Sequence, residues 1–447
     1  MPPKKVATTR LKTEISAISH EGRGIAKIDG KVVFIPFALK GEIVEFEYSA
    51  QKSNYNQGKL ITILKASNLR EKPPCPHFEM CGGCALQHMT PSAQIALKQE
   101  TLMTHFKHFG QGIAPKQILS PIHSKTEGYR KKARLGVRYV RKKNKVLVGF
   151  RERDGRFLAE LNSCAILHES VGQRLIELQK MIANLSIYAS IAQIEVAVDD
   201  AKTALILRHL VPFTAEDLAM IAQFAKAYDF WIYCQPKGPD TVKRFYPKSA
   251  QMPYNMQYSL KDFGITIHFK PNDFTQINQA VNQKMVQRAI SLLELSKTDT
   301  VLDLFSGIGN FSLPLATEAF EVVGVEGDRN MTDRATQNAM LNGIDNITFH
   351  TANLFDDISS QIWLHHKKYN KLLLDPPRSG AKEICSNIEL IAPERIVYIA
   401  CDPSTLARDA GILVNQKGYS LVSAGVIDMF PHTAHVESMA VFEKIDT

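Results

Sequence analysis

The chain has 447 residues, 45% hydrophobic and 22% charged, enough for two to four domains with cores of their own. No run of 18 apolar residues occurs, which argues against a membrane-spanning helix, and Met1-Pro2-Pro3-Lys4-Lys5 lacks the apolar stretch of a secretion signal, so a cytoplasmic protein is expected. The net charge of +9 is uneven: residues 1–160 carry 29 Lys and Arg against 13 Asp and Glu, and the remainder 25 against 32, which points to a polyanionic partner held by the basic front.

Residues 10–66 alternate apolar and polar positions, as in Lys31-Val32-Val33-Phe34-Ile35 and Ile43-Val44-Glu45-Phe46-Glu47-Tyr48. Turn signals fall at Glu21-Gly22-Arg23-Gly24, Asp29-Gly30 and Lys40-Gly41. Five short strands are predicted, making a small β-barrel of OB type over 1–67, a shape that often grips nucleic acid.

Pro73-Pro74 then leads into Cys75, Cys81 and Cys84, spaced C-x5-C-x2-C, with Cys164 further on. Seven cysteines in a cytoplasmic chain argue against a disulfide framework. Gly82-Gly83 would let the chain fold tightly around a bulky centre. Three thiolates with His77 or His88 suit a tetrahedral zinc, and four thiolates suit an iron–sulfur cubane. Spacing leaves the two open.

A helix is predicted over 92–109 from Ile95, Leu97, Leu102, Phe106 and Phe109, and it is a candidate to pack on the C-terminal domain. From 128 to 270 the pattern is strand-rich, with helices near 169–184 and 214–227, so a central α+β domain is expected over 68–270. Its densest charge runs from Arg130 to Arg156, twelve cations against Glu152 and Asp154, with Tyr129 and Tyr139 interleaved. Charge runs are usually solvated faces; this density favours nucleic acid.

Over 271–447 a helix at 279–294 is followed by strands at 300–304, 321–325, 347–350, 371–374 and 396–400. Alternating strands and helices predict a doubly wound parallel sheet, whose strand ends are where ligands sit. Three of those ends carry chemistry. Asp303-Leu304-Phe305-Ser306-Gly307-Ile308-Gly309-Asn310 is a glycine turn without the third glycine of a dinucleotide site. Glu326 ends the next strand, placed to take both ribose hydroxyls of a nucleoside, and Asn353 follows the third as a contact for the adenine edge. With no pyrophosphate cradle, S-adenosylmethionine is favoured over NAD.

Asp375-Pro376-Pro377-Arg378 has Arg378 where amine methyltransferases place an aromatic residue to stack on the base, so amine methylation is disfavoured. Cys401 instead suggests addition of a thiolate to C6 of a uracil, which makes C5 electron-rich enough to take a methyl group. A base must then remove the C5 proton before the thiol leaves. Glu437 sits in an apolar strand, where burial would raise its pKa and suit it to that task; His432 and His435 are its rivals. Cys234 and Cys385 lack a motif and are expected to be structural.

Taken together, Gly307-Ile308-Gly309-Asn310, Asp375-Pro376-Pro377-Arg378, Cys401-Asp402-Pro403-Ser404-Thr405 and His435-Val436-Glu437-Ser438 resemble the RNA (uracil-C5)-methyltransferases over nearly the whole chain. The barrel resembles a TRAM domain, and the cysteine set resembles the branch acting on 23S ribosomal RNA. Ser306 stands where relatives often have another small residue, a minor departure. The resemblance implies an α/β, Rossmann-like S-adenosylmethionine methyltransferase domain, an N-terminal OB-fold (TRAM) barrel and a central α+β domain carrying an iron–sulfur cluster. It implies Cys401 as nucleophile and Glu437 as base. Gln276, Phe305, Asn310, Glu326, Asn353 and Asp375 become S-adenosylmethionine contacts, and Cys75, Cys81, Cys84 and Cys164 the ligands of a [4Fe–4S] cluster. The expected partner is 23S ribosomal RNA, with no membrane and a monomeric enzyme. Alternatives are a transfer RNA uracil methyltransferase and a non-catalytic RNA-binding redox sensor.

Overall fold

The structure, a computed structural model, describes residues 9–248, 256–365 and 367–445. Six strands, Leu11–Glu14, Ala17–Ile18, Gly24–Ile28, Lys31–Ile35, Ile43–Gln51 and Tyr55–Lys65, form the first sheet. That is one more than predicted, because two-residue Ala17–Ile18 is too short to leave a periodic signature. The two long strands shift register at three points, and such bulges let a strand bend round a small interior. Ile15, Val33, Ile35, Val44 and Phe46 fill that interior. Gly58 is required there, since a Cβ would lie 2.7 Å from the Phe46 ring and 2.9 Å from Ile35.

A second six-stranded sheet has the order Lys243–Tyr246, Phe230–Gln235, Thr203–His209, Ile191–Val198, Lys132–Val140, Lys145–Gly149. The helix predicted at 169–184 is split into Glu169–Gly172 and Leu175–Ala183. The second predicted helix is Ala215–Tyr228, opened by a capping box in which Asp217 N–H donates to Thr214 Oγ1 and Thr214 N–H donates to the Asp217 carboxylate.

The third sheet carries the candidate site. Thr300–Leu304 lies between Glu321–Glu326 and Lys371–Leu374, all parallel. Ile347–Thr351 extends one side and Arg395–Ala400 the other. Chain order therefore reverses at Thr300–Leu304, the switch point where open α/β sheets leave a crevice. Every residue of Arg395–Ala400 is buried, as expected for a strand covered on both faces. Beyond it come the antiparallel strands Glu437–Lys444 and Tyr419–Ile427, then a two-residue edge strand, Gln117–Ile118.

Two elements from earlier in the chain complete this unit. The helix Pro91–His108 buries Leu102 and Phe106 in the core with Leu406 and Leu413 of the helix Pro403–Gln416. The hairpin Met256–Leu260/Ile265–Phe269 packs Tyr258, Ile267 and Phe269 with Val281 and Met285 of the helix Gln279–Leu293. Among the described residues, no helix is long and apolar enough to cross a membrane.

Candidate active site at the strand ends

The glycine turn after Thr300–Leu304 takes left-handed backbone at Phe305 (φ 67°), Gly307 (55°) and Gly309 (93°). Glycine adopts such angles without penalty, whereas Phe305 holds one at a cost borne by its surroundings. Gly307 N–H donates to Glu326 Oε2 (3.1 Å), and Asp328 N–H donates to Oε1 (3.1 Å), so the carboxylate is fixed against the turn. Asn353 is exposed; its Oδ1 accepts from Phe355 N–H (3.2 Å) and its Nδ2 donates to Asp356 (2.8 Å). The Phe355 ring is 5.8 Å from that of Phe305. The structure thus gathers Phe305, Glu326 and Asn353 around one turn.

Asn310 and Gln276 belong to a neighbouring polar network. The Asn310 and Asn282 amides bond to each other both ways (2.9 and 3.0 Å), and Tyr258 Oη donates to Asn310 Oδ1 (2.8 Å). Gln276 lines a small pocket together with Tyr258, Asn282 and Lys131. Asp375, half-buried after Lys371–Leu374, is raised to about 7 by desolvation.

Cys401 follows Arg395–Ala400 directly. Asp402 caps the next helix, accepting from Ser404 and Thr405 N–H (2.9 and 3.4 Å). This turn leaves the thiol half-buried at the strand end. The ladder pairs Ala400 with Ser438 and Ile427 with Glu437, so Glu437 stands beside Cys401 across adjacent strands. Glu437 is 6% exposed, and its Oε2 has no hydrogen-bond partner among the described residues. Desolvation, reinforced by Asp375, pushes it up to about 8, while the Lys98 cation pulls the other way. Cys401 rises to about 11, from burial and then from Glu437 and Asp375, with Arg378 opposing. The rival histidines are placed differently. Burial lowers His432 to about 4, and its Nδ1 meets Gln94 Nε2 at 3.2 Å. His435 is exposed, its ring 5.5 Å from that of Phe430.

Three groups here were not anticipated. Asp303 is fully buried and raised to about 8 by desolvation; Ser312 Oγ donates to its Oδ2, and Oδ1 has no partner among the described residues. A carboxylate inside Val301-Leu302-Asp303-Leu304 was a signal available in the sequence. Lys98 and Asp428 form a buried ion pair at 2.6 Å, 330 residues apart, which no sequence pattern announces.

Cys75, Cys81, Cys84 and Cys164 line one small pocket with Phe78, Phe150, Leu161 and Ile166. Among the described residues no group of three or more His, Cys, Asp or Glu side chains is arranged to hold a metal ion. Gly82 lets the loop pass under the central domain, since a Cβ would lie 3.0 Å from the Glu152 carbonyl oxygen.

The basic run divides in two. Arg130, Lys131, Lys132 and Arg153 work internally: Lys132 Nζ donates to Asp273 O (2.8 Å) and burial lowers it to about 8. Arg153 lies 4.5 Å from the Phe37 ring centre and 4.9 Å from that of Phe78, and donates to the carbonyls of Phe78 and Cys84. Arg134, Arg138, Arg151 and Arg156 instead share one open groove of about 970 Å³. Lys143 and Lys145 both pair with Glu160.

Residues 9–61 match the TRAM domain family, and residues 254–445 match the family described as tRNA (Uracil-5-)-methyltransferase. Over 97% of this chain, the chain resembles the solved tRNA (uracil-54, C5)-methyltransferase of Pyrococcus abyssi, crystallised with S-adenosyl-L-homocysteine, covering all of it with a TM-score of 0.74 at 22% identity. Fold and site thus define a Rossmann-like S-adenosylmethionine-dependent methyltransferase with an N-terminal TRAM domain. Curated relatives named 23S rRNA (uracil(1939)-C(5))-methyltransferase RlmD are 54% identical in Francisella tularensis subsp. novicida (97% of each chain) and 50% identical in Legionella pneumophila strain Lens (98% of each). The chain belongs to this RlmD family of RNA (uracil-C5)-methyltransferases.

Proposed function

We propose that this chain transfers a methyl group from S-adenosylmethionine to C5 of a uridine in 23S ribosomal RNA. The observation that carries this is Cys401 beside the buried carboxyl of Glu437, whose Oε2 has no hydrogen-bond partner among the described residues, at the carboxyl edge of the sheet. S-adenosylmethionine supplies an electrophilic methyl group, and Gln276, Phe305, Asn310, Glu326, Asn353 and Asp375 are assigned to hold it. The glycine turn, with open space over Gly307 and Glu326 locked to it, suits a nucleoside.

Cys401, half-exposed, loses its proton to solvent water and its sulfur adds to C6 of the uracil; the C5–C6 electron pair moves onto the ring carbonyl as an enolate. C5 then has the density to take the methyl group. Glu437, ionised, removes the C5 proton, the C5–C6 double bond reforms, and the Cys401 thiolate departs. A carboxyl near 8 is a stronger base than an ordinary glutamate, which suits a carbon acid. The barrel and the outward arginines would hold phosphates, and the target uridine would be extruded from its stack. We place the enzyme in the cytoplasm and expect it to act as a monomer.

The same reading assigns a [4Fe–4S] cluster to Cys75, Cys81, Cys84 and Cys164. Four thiols lining one apolar-walled pocket support this reading, since a cubane takes four thiolates. It would cross-link the loop Cys75–Cys84 to Cys164 of the central domain.

The names of the curated relatives favour ribosomal over transfer RNA. The deciding experiment maps 5-methyluridine in ribosomal and transfer RNA from a strain lacking the protein. Loss of one ribosomal 5-methyluridine, restored by the wild-type gene but not by Cys401→Ala, is expected. Unchanged ribosomal RNA with a missing transfer RNA methyl group would overturn the assignment.

A further inference from the structure

The loop Asp428–Val436 joins Tyr419–Ile427 to Glu437–Lys444, and so delivers Glu437 to the strand end. It holds itself poorly. His432 takes left-handed backbone (φ 67°) without being glycine, a conformation that persists only where the surroundings enforce it. Its own bonds are few: Thr433 N–H and Oγ1 to Phe430 O, and His435 N–H to Thr433 Oγ1.

The enforcement comes from chain more than 300 residues away. Ala85 and Leu86 N–H both donate to His432 O (2.8 and 2.9 Å). Gln94 grips the same residue from the other end: His432 N–H donates to Gln94 Oε1 (2.8 Å), while Gln94 Nε2 lies 3.2 Å from His432 Nδ1. Lys98 Nζ donates to Asp428 Oδ1 (2.6 Å) and Phe430 O (3.0 Å). Tyr129 Oη donates to Pro431 O (2.9 Å). Gln94, Lys98 and Tyr129 are each buried, so these bonds are shielded from competing water. Ala85 directly follows Cys84, and Tyr129 packs with Phe78, Cys84 and Ile166. The clamp is therefore an extension of the thiol-lined centre.

We propose that Gln94, Lys98 and Tyr129 are positioning residues that hold the loop carrying Glu437, tying the cysteine-lined centre of the central region to the proton-abstraction step. The inference rests on Glu437 being the base. Cys401 depends on the loop less directly, because its strand pairs with Lys371–Leu374 as well as with Glu437–Lys444 and its turn is closed by Asp402. Loosening the clamp therefore slows removal of the C5 proton, while leaving thiol addition, methyl transfer and RNA binding in place.

The test uses full-length protein with S-adenosylmethionine and an RNA substrate, comparing wild type, Gln94→Ala, Tyr129→Phe and Glu437→Gln on one denaturing gel. Tyr129→Phe removes one hydroxyl and keeps the packing, so it is informative even if Gln94→Ala folds poorly. We expect covalent RNA–protein adduct to accumulate in both clamp variants, less than in Glu437→Gln. kcat should fall roughly tenfold for Gln94→Ala, with KM for RNA and cofactor within about twofold of wild type. Hydrogen exchange across 428–436 should quicken in the same variants. Adduct in Glu437→Gln but wild-type levels in both clamp variants would overturn the clamp and spare the base. No adduct in Glu437→Gln would overturn the base assignment and the clamp with it.

Discussion

Cys401 and Cys164 are both half-buried, and burial raises both thiols to about 11. Their neighbours separate them. Around Cys401 stand two carboxyls, Glu437 and Asp375, and the opposing Arg378; around Cys164 stand other thiols and the backbone N–H groups of Ile166 and Leu167. A perturbed thiol therefore does not by itself identify a nucleophile. One thiol beside a carboxyl and an open strand end suits covalent chemistry, whereas four thiols around one apolar-walled pocket suit a bound centre.

The largest expected effect breaks that contrast at its catalytic end. Cys401→Ala should cut tritium release from C5-labelled uridine RNA by at least roughly four orders of magnitude, with S-adenosylhomocysteine binding unchanged by calorimetry. Glu437→Gln should lose roughly 10²–10⁴ in turnover and trap adduct, a result Cys401→Ala cannot give. At the other end, Cys84→Ser should abolish visible absorbance of anaerobically purified protein and cost more than about 2 kcal/mol of stability by chemical denaturation. Full colour in that variant would remove Cys84 from the ligand set.

A smaller effect concerns pH. Glu437 sits near 8 in the folded chain against an ordinary 4.5, so its contribution to stability is complete below pH 4.5 and is lost as pH rises through about 8. The melting temperature of Glu437→Gln relative to wild type should rise across that window; a difference flat in pH would contradict the desolvated carboxyl. Smallest is the electrostatic test. Arg138→Ala should lower the salt slope of RNA binding by up to about one, whereas Lys143→Ala, whose cation already pairs with Glu160, should change it less.

The strands bearing the site could be read in advance because each ends a continuous apolar run, and side-chain periodicity is a local property. The glycine turn and the placement of Glu326 after the second strand were legible for the same reason. The basic run was only half legible. Counting cations cannot distinguish Arg153, set over the rings of Phe37 and Phe78, from Arg156 in the open groove, since that depends on which side of the fold each faces.

The amino-acid order alone thus determined the strands of the sheet, the thiol at a strand end and the cysteine spacing, all set by residues within a few positions of one another. Only the tertiary structure decided what surrounds them. Glu437 comes to lie beside Cys401 through strand pairing, and burial leaves one oxygen of Asp303 without a partner among the described residues. Lys98 meets Asp428 across 330 residues. Charge and hydrogen bonding act over a few ångströms of space, and chain closure brings together groups that no local pattern connects.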